Sequence, residues 1–202
     1  MVKTVAALDR RAQLLDAAIA VFAEHGYNSA KVSDIVQHAG VAQGTFYLYF
    51  KSKREVLLAL VERFCDTLVE ACGQGEPVPT DADAYRAQLL RRTRAILGVT
   101  AAQRPLAAIF FKETIGGDAE LAEQLHRFRG AMADLSRRRL AEAVELGLAR
   151  PVDVETVAYA LNGMWEGVIA HCVLLNPTTP DLDRLAESIV DLQLDGLRPR
   201  RS

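Results

Sequence analysis

The chain has no apolar run of the roughly 18 residues that a membrane span needs, so nothing in it reads as a transmembrane segment. Its opening, MVKTVAALDRR, reaches Asp9 before any apolar core of a leader develops, and a cytoplasmic location is the expectation. Cysteine is scarce and odd in number, three in 202 residues, which fits a reducing compartment better than a disulfide framework. Cys65 and Cys72 lie seven apart on one expected helix, placing their Cα atoms about 10.5 Å apart, beyond the roughly 7 Å reach of a disulfide. His25, His38, His126 and His171 are scattered, and no Cys/His pair has metal-ligand spacing, so no metal and no cofactor is expected. Alternating strand patterns and internal repeats are missing as well.

Motifs for the commoner chemistries are also lacking. There is no G-x-S-x-G, no Walker-type Gly-Lys-Ser/Thr loop and no G-x-G-x-x-G. Glu113, in IFFKETIGG, sits among apolar residues and could act as a base, but a structural or ligand-contacting carboxylate is the favoured reading. The net charge of −2 argues against a general polyanion binder. Its distribution says more. Residues 1–55 hold seven Lys or Arg against five Asp or Glu, and the remainder holds 17 against 21. A mildly basic first quarter on an acidic remainder suits a small nucleic-acid-reading module attached to something else.

What is present centres on residues 33–53, SDIVQHAGVAQGTFYLYFKSK. Ile35, Val36 and Ala39 fall on one helical face, and Gly40 follows where a helix C-terminus needs a left-handed residue. Val41 is placed to fill the corner. A second short helix then carries Phe46 and Phe50 four apart, on one face. Phe46, Tyr47, Tyr49 and Phe50 cannot all point inward, so some aromatic hydroxyls face solvent. Two short helices around a Gly turn, with Lys51 and Lys53 at the exit, read as a helix-turn-helix. The alternative is an αα-corner within an ordinary helical protein.

On these residues the chain resembles the TetR family of transcriptional repressors. Residues 9–60 carry nearly all of the likeness, in the run AAIAVFAEHGYNSAKVSDIVQHAGVAQGTFYLYFKSKREVLLAL. The resemblance implies an all-α protein with a three-helix DNA-binding domain at 1–53 and a helical ligand-binding and dimerisation domain at 54–202. It implies that Gln43, Gly44 and Thr45 reach base edges, that Leu48 meets a thymine methyl, and that Tyr47, Tyr49, Lys51 and Lys53 hold phosphates. The family usually has Ser or Thr where Lys31 stands here. A lysine cannot accept a capping hydrogen bond, although Lys31 can still meet a phosphate and Ser33 can add a hydroxyl.

Downstream, Leu14, Leu15, Ala18, Val21 and Phe22 mark a first helix from Asp9 to Gly26, after a loose arm at 1–8. Ser52 and Glu55 form an S-x-x-E capping box for a helix through Leu57, Leu60, Val61, Phe64 and Leu68, stopped by GQGEPVP at 73–79. Further helices are expected at about 81–98, 104–115, 118–147, 153–175 and 181–196. The helix at 153–175 is apolar over much of its circumference, so several of its sides must be covered. Leu161, Gly163, Gly167 and Val168 there, with Leu185 and Ile189 of the last helix, are the expected dimer interface. Filling a monomer core is the alternative. The tail RPRRS is expected to be a solvated end.

A sensor needs a mostly apolar cavity with a few polar groups. Phe110, Phe111, Phe128, Met132, Tyr159 and Trp165 are the candidate walls, and Glu113, Thr114 and His171 the candidate polar contacts. The reading is a homodimeric repressor, with operator DNA and a small apolar effector as partners and no membrane. As the resemblance implies, the effector would tilt the helix after the reader and separate two reading heads. An enzyme or an architectural DNA-binding protein is the rival.

Overall fold

A computed structural model describes residues 2–111, 119–176, 178 and 180–197; the side chains of 2–8, 109, 111 and 197 are outside the description. Every regular element in the described residues is helical: α1 (Val2–His25), α2 (Val32–Ala39), α3 (Gln43–Tyr49), α4 (Lys53–Ala71), α5 (Ala82–Ala102), α6 (Arg104–Phe111), α7 (Ala119–Glu145), α8 (Val154–Val168) with a π-helical continuation (Ile169–Leu174), and α9 (Leu182–Leu197). The all-α expectation holds. Two boundaries differ: α1 starts at Val2, not after Asp9, and α5 runs to Ala102, past the expected end near 98. VKTVAAL contains neither Gly nor Pro, so nothing in it interrupts helical hydrogen bonding. The expected helix at 153–175 also changes character, since six residues from Ile169 adopt the wider π form.

The chain divides into two compact units, Met1–Phe64 and Cys65–Ser202, with the division inside α4. In the first, Leu14, Leu15, Ala18, Val21 and Phe22 of α1 are buried, as are Ile35, Val36, Phe46, Phe50, Val56, Leu57 and Leu60. Burial of each Val, Leu, Ile or Phe among them stabilises by about 1.5–3 kcal/mol. Gln13 of α1 donates to the Ala39 carbonyl at 2.7 Å, satisfying one of the orphan acceptors at the end of α2. The α2 start is also settled locally. Lys31 makes no side-chain cap; Asp34 accepts from the Lys31 backbone N–H at 2.9 Å. That bond, ahead of the Ser33 hydroxyl and the nearby cations, holds the Asp34 carboxyl below its usual range against the opposing effect of burial. Ser52 accepts from the Glu55 N–H at 3.2 Å. Glu55 reaches back one residue further than a capping box requires, to the Lys51 N–H at 2.6 Å.

In the second unit α5 packs along α9 and α7 along α8. One core cluster joins Leu97 of α5, Val173 of the π segment and Ala186 and Ile189 of α9, covered by Met164, Trp165, Val168 and Leu185. Another joins Val78, Leu140, Ala143 and Ala149. Arg86–Asp191 at 2.8 Å and Arg94–Asp183 at 2.6 Å link α5 to α9 outside the core. No helix of the described residues is long and apolar enough to cross a membrane.

Candidate DNA-reading surface and effector cavity

The reading surface follows from one turn. Gly40 sits at φ 65°, ψ 35°, a left-handed conformation that only glycine takes without a Cβ penalty. The Val41 N–H then donates to the Val36 carbonyl at 3.0 Å, the longer bond of a Schellman cap. Half-buried Val41 fills the corner, and Ala42, in extended conformation, starts α3. Phe46 is fully buried and its ring lies 5.9 Å from that of buried Phe50. These two anchors fix the rotation of α3. They leave Gln43 and Gly44 exposed, Tyr47 53 % exposed and Leu48 80 % exposed, with Thr45 and Tyr49 half-buried. Water is a poor environment for an isolated leucine side chain. A convex strip with amide, hydroxyl and methyl groups side by side is what base edges and phosphates require. Lys31, Ser33 and Lys51 are exposed too.

Lys53 is different. Its ammonium donates to the carbonyls of Tyr27 at 2.5 Å, Ala30 at 2.8 Å and Asn28 at 3.1 Å, and lies 4.5 Å from the Tyr27 ring centroid. An ammonium has three donors, so all of them are engaged within the unit. Partial burial also lowers its pKa. The expected phosphate contact at Lys53 is therefore corrected: it clamps the 27–30 loop onto the start of α4. Sequence spacing alone could not show that the loop carbonyls converge there.

The second unit contains a cavity of about 680 Å³, walled by side chains between Leu68 and Leu194. Among the expected wall residues, Phe110, Phe128, Met132, Tyr159 and Trp165 line it. Phe110 and Phe128 meet edge-to-face at 5.1 Å, an arrangement favoured by the ring quadrupoles. Leu161 and Gly163, expected at a dimer interface, also line it. His171 does not: Ile169 and Val173, four apart on the π segment, take the buried side and leave His171 exposed. Its role as a polar contact is corrected on that ground. Glu113 and Thr114 lie outside the described residues, as does the Phe111 side chain.

Sequence reasoning missed the charged wall. Arg92, Arg129, Arg137 and Arg139 all line the cavity, together with His126, Tyr85 and Cys72. Arg92, 6 % exposed, donates through Nε and a terminal nitrogen to Glu76 at 3.1 and 2.9 Å. Arg91 pairs with the other Glu76 oxygen. Burial opposes ionisation of Glu76, but the bond and charge of Arg92, with the charge of Arg91, hold its carboxyl below the usual range. Arg129 pairs with Glu166 at 3.2 Å, and Arg137 with Asp134 at 2.8 Å and Glu155 at 3.8 Å. Burial raises the pKa of both Cys72 and Tyr85, the nearby arginines opposing it. Both are thus kept neutral at pH 7. The signal available in the sequence was RRTR at 91–94 and RRR at 137–139, to which the sequence reading assigned no role.

The proposed interface residues fare unevenly. Gly163 and Gly167 are exposed, and a Cβ added at either meets nothing within 4 Å. Leu161, Val168 and Leu185 are half-buried. Ile189 is 4 % exposed within its own chain, packed into the cluster around Leu97. It has almost no surface left for another chain, and its assignment to an interface is corrected.

A helix-turn-helix with an outward-facing second helix, followed by a cavity-bearing helical unit, is the architecture of a transcription regulator. Residues 14–60 match the model of the bacterial regulatory proteins of the tetR family. The chain is 27 % identical over 186 residues to the fatty acid metabolism regulator protein of Bacillus subtilis (strain 168), covering 92 % of this chain and 94 % of that one. The solved structure of the fatty acid degradation regulator FadR from Bacillus halodurans is 30 % identical, with a TM-score of 0.73 over 95 % of this chain and 97 % of the other. FadR from Bacillus subtilis in complex with stearoyl-CoA is 25 % identical, with a TM-score of 0.71 over 92 % and 98 %. The chain belongs to the TetR family of transcription regulators.

Proposed function

We propose that this chain is a homodimeric repressor that binds a palindromic operator through α3 and leaves it when an acyl compound fills the cavity. The observation that carries the reading is α3 itself: Phe46 is buried while Gln43, Tyr47 and Leu48 stand in solvent. Gln43, Gly44 and Thr45 are assigned to base edges, Leu48 to a thymine methyl, and Lys31, Ser33, Tyr47, Tyr49 and Lys51 to the backbone. Exposed Gly163 and Gly167 support α8 as part of the dimer interface, since bare glycine lets a second backbone approach closely. Two copies would address half-sites about 34 Å apart or a multiple of it.

The acyl class for the effector is supported by the mostly apolar cavity and by the relatives, one named for fatty acid metabolism and one bound to stearoyl-CoA. The helix α4 runs along the chain from one unit into the other, so a ligand that moves its end near Cys72 acts on the element that starts at Lys53. No catalytic role is assigned to any residue.

A footprint on DNA upstream of the gene tests the reading. Gln43→Ala should relax preference at particular base pairs by about 1–3 kcal/mol. If its base preference matches that of the unaltered protein, α3 does not read bases through Gln43. Loss of the footprint with dodecanoyl-CoA or with dodecanoate would support the acyl class, and persistence with both at saturating ligand would sink it.

A further inference from the structure

The cavity's cations are not equivalent. Arg92, Arg129 and Arg137 each face a carboxylate partner, Glu76, Glu166 and Asp134 respectively. Arg139 has no carboxylate partner among the described residues. Its terminal nitrogen donates to the Gly73 carbonyl at 2.5 Å. Gly73 lies just beyond α4, at φ +66°, and its Cα is hemmed in by Glu76 and Arg92: a Cβ there would stand 2.7 Å from Glu76 Oε2 and 2.9 Å from Arg92 Nε. The Gly73 N–H in turn donates to the Glu70 carbonyl at 2.8 Å. Arg139 therefore latches the end of α4 to α7 with a charged donor and a neutral acceptor.

That latch is weaker than what the same guanidinium makes with an anion. A carboxylate adds the attraction between two full charges, which a carbonyl lacks, and a planar fork meets it with two parallel bonds instead of one. Burial and the neighbouring Arg92 charge disfavour the Arg139 cation and outweigh the opposing charge of the Glu76 carboxylate, so a further negative charge placed beside it relieves an existing penalty. Apolar groups continue the wall away from this corner: Leu68, Met132, Leu135 and Leu140 all line the same cavity. Cys72 packs against Met132, Sγ to Sδ 3.9 Å, on the α4 side.

We propose that the cavity's occupant is a free carboxylate on an apolar chain, and that the carboxylate docks on Arg139 in place of the Gly73 carbonyl. It rests on the reading of this cavity as the effector site. Docking satisfies Arg139 with charge and removes the bond that holds Gly73, releasing the last turn of α4, where the Cys72 N–H donates to Leu68 at 2.9 Å. The polar end of the effector is thus both the recognised group and the trigger. A neutral chain of the same length fills the cavity without opening the latch.

The test uses the full-length protein with dodecanoate, dodecanol and dodecanoyl-CoA at pH 7.5, followed by the emission of Trp165, the one tryptophan and a cavity residue. Dodecanoate should bind at least tenfold more tightly than dodecanol. Arg139→Met should lose at least tenfold in dodecanoate affinity with dodecanol unchanged, while Arg139→Lys, which keeps the charge without the fork, falls between. Unchanged dodecanol binding shows that each variant is folded around its cavity. Hydrogen exchange adds a second readout: dodecanoate should speed exchange at Cys72 and Gly73 in the unaltered protein, and dodecanol should not. Equal affinity for dodecanoate and dodecanol, or undiminished dodecanoate binding by Arg139→Met, overturns the proposal. Tight dodecanoyl-CoA binding without dodecanoate binding overturns it too, and leaves the acyl effector reading intact. Binding of none of the three sinks that broader reading and this one together.

Discussion

The reading head and the sensor unit put polar groups to opposite use. In the head, buried aromatics turn a seven-residue helix so that its amide, hydroxyl and methyl groups project into solvent. In the sensor, buried Arg92 of α5 meets Glu76, and Arg139 of α7 meets the Gly73 carbonyl, beside an apolar space. One site is convex, local and waiting for a polyanion. The other is concave, gathered from distant positions and nearly neutralised from within. The difference teaches where specificity can live: a surface can leave its donors to water until DNA arrives, whereas a cavity must satisfy them or leave them costly.

The largest expected effect tests the anchors. Phe46→Ala should cost about 3–5 kcal/mol of stability in the head, read as a lower denaturant midpoint, and abolish operator binding with it. Phe110→Ala removes an aromatic that borders an existing cavity, and should weaken the effector response while the ligand-free protein keeps its DNA affinity. If Phe110→Ala instead abolishes DNA binding without effector, the two sites are not separable in this way.

Next comes the backbone at the latch. Gly73→Ala should destabilise by about 1–3 kcal/mol, because a left-handed residue gains a Cβ and that Cβ lies 2.7 Å from Glu76. Gly40→Ala faces the same positive φ with open space around it, so thermal unfolding should show the smaller loss there. A larger loss at Gly40 would mean that backbone strain, not the Glu76–Arg92 contact, dominates.

Two lysines two residues apart sharpen the contrast inside the head. Lys53→Met removes bonds to three carbonyls and should cost about 1–3 kcal/mol of stability, with little change in the salt dependence of DNA binding. Lys51→Ala should leave stability within about 0.5 kcal/mol and lower the salt slope by about 0.9. Titrations at several salt concentrations separate the two; a slope change at Lys53 would return it to the phosphate.

The smallest effect concerns acid. The folded Glu76 carboxyl lies below its ordinary value of 4.5. The stability from its pairing is present above that unfolded value and is lost as pH falls through the lower folded one. Glu76 is partly exposed, so the slope should be shallow, and Glu76→Gln should remove it from the acid unfolding profile of the sensor. An unchanged profile would show that Arg92 is held by packing alone.

The sequence by itself determined the all-helical class, the turn at Gly40, and the division of labour on α3. Those depend on residues a few positions apart, where helical periodicity and the conformational freedom of glycine act directly. It also located most of the aromatic wall, because Phe110, Phe128 and Trp165 stand out against a chain with few aromatics. Only the tertiary structure decided the fate of the charges. Lys53 became a loop clamp, Ile189 went to its own chain's core, His171 turned outward on a π turn, and Arg139 met Gly73 across 66 positions of sequence. A cation's role depends on which acceptor lies within hydrogen-bond reach, and that distance is set by packing between helices rather than by spacing along one.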